Sequence, residues 1–266
     1  MPPVDLSCPV ALPTSLVTVE IVSTATQHSR LSQVVDDGRD GPIDIPMLVG
    51  VLCHPAGVVL VDSGLGTTTR DGTFPGWPLS GFDLTVPPGA AMVERLDGPP
   101  LCVLLTHPHY DHVGGLLDFP GVEAWISEAD AAAYFPGNVH WTPALRKSVD
   151  WHVVDFGPAK AERVLGKPAI DVMGDGSIWY LSTPGHTPGA ASVLVLTAEA
   201  AWLFVGDTAW VEDHLHDARR PFSTSLLVDA EPRNLRESLE WARHLRAACP
   251  DLHVVPGHES SWVQGG

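Results

Sequence analysis

The chain has 266 residues, 44% of them hydrophobic, enough for a sizeable core within one large α/β domain spanning 1–266. Thirty-two Asp and Glu stand against fifteen Lys and Arg, a formal net charge of −17 with no basic stripe, which argues against nucleic acid as a partner. No apolar run of about 18 residues occurs, and Met1 to Asp5 lacks the basic and apolar regions of an export signal, so no membrane is expected and the expected location is the cytoplasm.

Strands are predicted at Leu16 to Val22, Met47 to Cys53 and Val58 to Asp62, the last followed by the turn Ser63-Gly64-Leu65-Gly66. Residues Arg70 to Pro88 read as a loop in which Phe74, Trp77 and Phe82 lie among glycines and prolines, and Phe74 and Trp77 are candidate substrate walls. Leu101 to Leu105 is a buried strand, and His107-Pro108-His109-Tyr110-Asp111-His112 follows it directly. Imidazole nitrogens and a carboxylate gathered this closely would suffer desolvation and charge repulsion that a borderline cation such as zinc offsets.

Further strands are expected at Val122 to Ile126, Ile178 to Leu181, Ala191 to Leu196, Trp202 to Val205 and Leu252 to Val255. Each of the second, fourth and fifth of these ends at a donor: His186 within Thr183-Pro184-Gly185-His186-Thr187-Pro188-Gly189, Asp207 after Gly206, and His258 after Pro256-Gly257. Any one of these is weak, because a Pro-Gly-His turn is more often only a turn, but their conjunction is strong. A helix is predicted from Pro232 to Cys249, with Pro in the first turn, an apolar stripe at Leu235, Leu239, Ala242, Leu245 and Cys249, and Pro250 as its stop.

Two other loops, Phe135 to Trp151 with His140 and Trp141, and Trp210 to Phe222 with His214 and His216, are also candidate pocket segments. His214 and His216, flanked by Glu212, Asp213 and Asp217, are expected to be solvated, and the histidines outside these motifs are read as structural. Cys8, Cys53, Cys102 and Cys249 form no C-x-x-C pair and are expected to be reduced.

Taken in order, Asp62, the block from His107 to His112, His186, Asp207 and His258 resemble the five motifs of the metallo-β-lactamase superfamily, from about Val17 to Glu259. The resemblance implies a four-layer αβ/βα sandwich with a dinuclear site. His107, His109 and His186 would hold one ion, Asp111, His112 and His258 a second, Asp207 would bridge both, and Asp62 would orient a ligand. The cofactors implied are two divalent ions, with zinc expected, and a bridging hydroxide would attack an ester or lactone of a small molecule while Asp111 or Asp207 passes the proton.

Among single-domain members the pattern is similar to N-acyl homoserine lactonases. Those commonly carry a tyrosine three residues past the bridging aspartate, where this chain has Trp210, which is therefore expected to lie against the substrate; Tyr110 is a second pocket candidate. Alternatives are a thioesterase resembling glyoxalase II, a β-lactamase-like amidase, a mono-iron persulfide dioxygenase and a non-catalytic binding module. A homodimer is compatible with the sequence.

Overall fold

The computed structural model describes residues 8–9, 11–12, 14–72, 83–136 and 143–264. Phe74, Trp77, Phe82, His140 and Trp141 lie outside the described residues. The strands are β1 (Thr18–Arg30), β2 (Pro42–His54), β3 (Gly57–Val61), β4 (Asp83–Thr85), β5 (Cys102–Leu104), β6 (Glu123–Ser127), β7 (Asp150–Val154), β8 (Glu162–Val164), β9 (Lys167–Asp171), β10 (Ile178–Ser182), β11 (Ala191–Leu196), β12 (Ala201–Gly206) and β13 (Leu252–Pro256). The helices are α1 (Thr67–Arg70), α2 (Met92–Arg95), α3 (Tyr110–Val113), α4 (Glu128–Tyr134), α5 (Pro143–Ser148), α6 (Glu212–Leu215), α7 (Phe222–Val228) and α8 (Pro232–Ala248).

One sheet has the order β4-β1-β2-β3-β5-β6-β7 and the other β13-β12-β11-β10-β9-β8. In the first, β1, β2 and β3 are antiparallel neighbours, whereas β3, β5, β6 and β7 run parallel, so the strands from β3 onward end at one edge. Alternation along each strand divides the core. Val59 and Val61 of β3 face the inter-sheet core with Leu52, Leu104, Tyr180, Val193 and Phe204, while Leu60 points outward among Val103, Ile126 and Leu145. On the far side, Leu203 and Val205 of β12 pack with Trp241, Ala242 and Leu245 of α8. Apolar residues on both faces of each sheet require helices outside, which gives the expected four layers.

Two bonds between the sheets lie at the edge where β5 ends. The Tyr180 hydroxyl donates to the Leu105 carbonyl at 2.6 Å, and the Ala191 amide donates to the Thr106 carbonyl at 2.7 Å. The residues just before His107 are thereby attached to both sheets.

The predicted α8 is found within one residue, and nine strands lie where they were expected. β1 is longer than its apolar start, since Ser23–Arg30 is polar but pairs with β2 and β4 through the backbone. β4, β7, β8 and β9 were not anticipated. The β8–β9 hairpin turns at Leu165 (φ 50°) and Gly166 (φ 76°), and its leucine carries no sequence signal for left-handed backbone.

The cysteine expectation needs correction, because Cys8 and Cys249 form a disulfide while Cys53 and Cys102 are free. With the partners 241 positions apart, sequence proximity could not reveal the pair. The bridge ties the N-terminal segment to the end of α8, a bond that reducing compartments seldom keep. Reducing it is expected to lower unfolding stability by about 2–4 kcal/mol. Thiol labelling of denatured, unreduced protein should find the two free cysteines; four labelled thiols would contradict the bridge. Among the described residues no helix is long and apolar enough to cross a membrane.

Candidate metal centre

β3 is followed directly by Asp62, whose φ of 60° is left-handed and costs roughly 1 kcal/mol for a residue with a side chain. Three hydrogen bonds offset that cost. Asp62 Oδ1 accepts from the Thr106 amide (2.7 Å), and Oδ2 accepts from the Thr106 hydroxyl (2.7 Å) and from His112 Nδ1 (2.8 Å). The last bond commits the His112 proton to Nδ1 and leaves Nε2 as a lone pair. Thr106 Oγ1, having donated to Asp62, is an acceptor for His107 Nδ1 at 3.2 Å, so Nε2 of His107 is likewise left as a lone pair.

His186 is held from the other sheet. Its Nδ1 donates to Asp229 Oδ1 at 2.7 Å, and the Ala230 and Glu231 amides donate to the His186 and Gly185 carbonyls at 2.9 Å each. Gly185, at φ 145°, lies so close to the start of α8 that a Cβ would come 2.2 Å from the Leu235 backbone. The second Pro-Gly-His glycine serves a different contact, since a Cβ at Gly257 would lie 2.6 Å from Asp207 Oδ1. His258 Nδ1 donates to the Pro46 carbonyl at 2.9 Å. Asp130 of α4 secures the turn after His186, accepting from Thr187 Oγ1 and the Gly189 amide at 2.8 Å each, and burial pushes its pKa up to about 7.

With those protons committed, the remaining nitrogen and oxygen atoms converge with fewer hydrogens than acceptors between them. His109 Nδ1 lies 3.1 Å from His107 Nε2 and 2.9 Å from His186 Nε2, and one N–H could serve only one of them. Asp207 Oδ2 lies 3.2 Å from His186 Nε2 and 3.9 Å from His107 Nε2. Asp207 Oδ1 lies 3.1 Å from His258 Nε2 and 3.5 Å from His112 Nε2, and Asp111 Oδ2 is 3.6 Å from each of those nitrogens. His112 Nε2 and Asp207 Oδ1 are buried without a hydrogen-bond partner.

Lone pairs facing lone pairs call for a cation. Burial, and then the neighbouring imidazoles, hold His107 well below the usual histidine pKa. At His112 and His258 burial acts in the same direction, but the surrounding carboxylates outweigh it and raise both, so a positive charge, a proton or in its place a metal ion, is favoured between these rings and the carboxylates. Three sets, His107/His109/His186, His107/His112/Asp207 and Asp111/His112/His258, each bring their ligand atoms within 4.8 Å of one another. Nitrogen and oxygen donors at this spacing fit divalent ions of the zinc type.

All seven expected ligands and Asp62 therefore come together. Only His109 and Asp111 are partly exposed, so they mark the open side of the site. Tyr110 is 7% exposed among Ala25, Met47, Leu65 and Val86, and burial beside Asp111 and Asp207 raises its phenol far above the ordinary value, which keeps it protonated. Trp210 does not present an open apolar wall. Its indole packs with Val34, Val35, Ile45 and Val211, its N–H donates to Asp207 Oδ2 at 2.9 Å, and Arg220 lies over its face at 4.0 Å, so it meets the site through Asp207.

His214, expected to be solvated, is instead completely buried, with Nδ1 accepting from the Trp210 amide and Nε2 donating to the Val34 carbonyl. His216 is exposed as expected. Burial, followed by the charge of Arg220, pushes the His214 pKa down to about 4. The unfolded chain takes up this proton from about pH 6.5 downward, whereas the folded ring resists until about 4. Stability is thus complete above 6.5 and is lost as pH falls toward 4, by about 2 kcal/mol between pH 7 and 5 from this ring alone. Urea midpoints for wild type and His214→Gln should show a flatter pH dependence in the variant, and parallel curves would contradict the assignment.

Thr106, Asp130, Asp229 and Arg220 were not anticipated. Asp229 lies 43 residues from His186 in sequence, and no spacing or motif links the two.

The profile of the metallo-beta-lactamase superfamily matches residues 46–258. The N-acyl homoserine lactonase AttM of Agrobacterium fabrum is 26% identical over 256 residues, covering 86% of this chain and 88% of the lactonase. A probable metallo-hydrolase of Mycobacterium bovis is 29% identical over 251 residues, covering 81% and 77%. The solved structure of an N-acyl homoserine lactone hydrolase, with its product bound at the catalytic metal centre, superposes with a TM-score of 0.71 at 18% identity, covering 91% and 93%. Fold, donor set and matched profile together show that the chain belongs to the metallo-beta-lactamase superfamily.

Proposed function

We propose that this metal-dependent hydrolase cleaves the ester bond of a small molecule, a lactone foremost, at a dinuclear centre. In this reading His107, His109 and His186 hold one divalent ion, Asp111, His112 and His258 the other, and Asp207 is shared. Zinc is the ion proposed. The observation that carries the reading is the division of the Asp207 carboxylate: Oδ2 faces His186 and His107, while Oδ1 faces His258 and His112.

When bound, the two ions supply Lewis acidity toward a carbonyl and lower the pKa of water toward about 7. The protein's own groups do the rest. Asp62, the Thr106 hydroxyl, Asp229 and the Pro46 carbonyl fix the tautomers of His112, His107, His186 and His258, so that no ring must reorient during turnover. Asp111, a carboxylate on the open side, is placed to hold a proton for the departing alkoxide. Tyr110 stays protonated, so its hydroxyl is available for hydrogen bonding but not as a phenolate base. The lactonases among the relatives favour an ester over a thioester or β-lactam.

The test is a panel of γ-lactones, acyclic esters, thioesters, β-lactams and phosphotriesters, assayed with zinc-loaded protein and with chelated protein. Lactones and esters should give the highest kcat/KM, abolished by chelation. A preference for thioesters or β-lactams would overturn the substrate assignment while leaving the metal centre standing.

A further inference from the structure

Arg220, between α6 and α7, carries a guanidinium only 6% exposed, and its Nε–H is buried with no acceptor. Burying a charge incompletely satisfied is costly, and such a group persists where its contacts serve something else. Its contacts lead to His186 and to the shared Asp207, which Trp210 holds at the oxygen facing His186 and His107. One terminal nitrogen pairs with Asp229 Oδ1, the atom that also accepts from His186 Nδ1. The other donates to the Asp207 main-chain carbonyl. The guanidinium plane covers Trp210, whose indole N–H holds Asp207 Oδ2.

By contrast, the rings of His112 and His258 are oriented by Asp62 and by the Pro46 carbonyl. Arg220 has no bond to either of those groups. The dependence is therefore uneven, since Arg220 reaches the His112 and His258 half only through the main chain of the shared Asp207.

We propose that Arg220 is a positioning residue for the His107, His109 and His186 half of the site. Through Asp229 and Trp210 it fixes the His186 ring and Asp207 Oδ2, and it sets that half's affinity for a divalent ion while sparing the half built on Asp111, His112 and His258. This rests on the two-half reading above. A lysine could keep the charge, but a single ammonium cannot hold Asp229 and the Asp207 carbonyl in the planar fork while stacking on the indole.

The test uses the full chain, stripped of metal and titrated with Zn²⁺ or Co²⁺ alone against a competing chelator, with the visible Co²⁺ spectrum recorded at each step. His107→Ala and His112→Ala identify which affinity belongs to which half. Arg220→Met is expected to weaken the ion lost in His107→Ala by about 10–100-fold, and to leave the other within about threefold. Arg220→Lys should recover part of the loss. Trp210→Phe, which keeps a ring beneath Arg220 but removes the N–H, should show a smaller loss in the same half and a changed Co²⁺ spectrum.

Equal weakening of both ions, or no weakening in any of the three variants, overturns the proposal. Should Arg220→Met not fold by circular dichroism, Arg220→Lys and Trp210→Phe decide it, and unchanged affinities in both overturn it. If the wild-type protein binds only one ion, the two-half reading fails by itself. The Arg220 proposal is then decided by whether that ion is weakened in Arg220→Lys.

Discussion

Asp207→Ala is expected to lose hydrolysis by about 10³-fold or more, because the variant removes the one anion whose two oxygens face opposite halves of the site. Burial opposes charge on Asp207, but His258, His186 and His107 outweigh it and hold its carboxyl well below the usual carboxylate range, so the group is ionised at every working pH. Removing it takes away the carboxylate that faces both histidine sets, and both metal affinities should fall. The β12 to α6 backbone should persist, since the Gly257 amide bonds to the Gly206 and Ala209 carbonyls and the His258 amide to the Trp210 carbonyl. Metal analysis and far-UV circular dichroism on the same preparation would check both points. A variant retaining two ions and normal turnover would contradict the shared role.

The second large effect separates the halves. His112→Ala should weaken one ion by about 10²-fold or more while leaving the other, and His107→Ala should do the reverse, each removing a nitrogen donor from one proposed half. Activity should fall about 10²–10³-fold in both. Chelator titration with metal counting distinguishes them. Identical loss profiles would show a single ion or a different division of the ligands. Asp62 is the point at which the halves meet outside Asp207, since it bonds both His112 and the Thr106 hydroxyl that orients His107.

Much of this site was legible in the sequence because its ligands follow strands. A run such as Leu101 to Leu105 marks a buried strand, and whatever follows it must emerge at the sheet edge, so four strand-end motifs had to converge once the sheets packed. α8 was legible for a similar reason: its apolar spacing and bounding prolines are local. Contacts made across the fold were not. Asp229 and Arg220 lie in or beside loops with no periodicity, and only tertiary packing brings them to His186.

His214 was misread because three acidic neighbours suggested solvent, yet its ring turns inward to the Val34 carbonyl. Trp210 was read by its place in a motif as facing the substrate, but the cation over its face and the carboxylate at its N–H give it a role in holding Asp207. The Cys8–Cys249 pair joins the N-terminal segment to the C-terminal end of α8, a contact that no spacing reveals.

The most direct measurement is anomalous diffraction at the metal edge from crystals of the loaded protein. Two peaks roughly 3.5–4 Å apart are expected, one among His107, His109 and His186 and the other among Asp111, His112 and His258, with Asp207 touching both. A single peak at full loading, or an Asp207 carboxylate directed at only one ion, would contradict this arrangement.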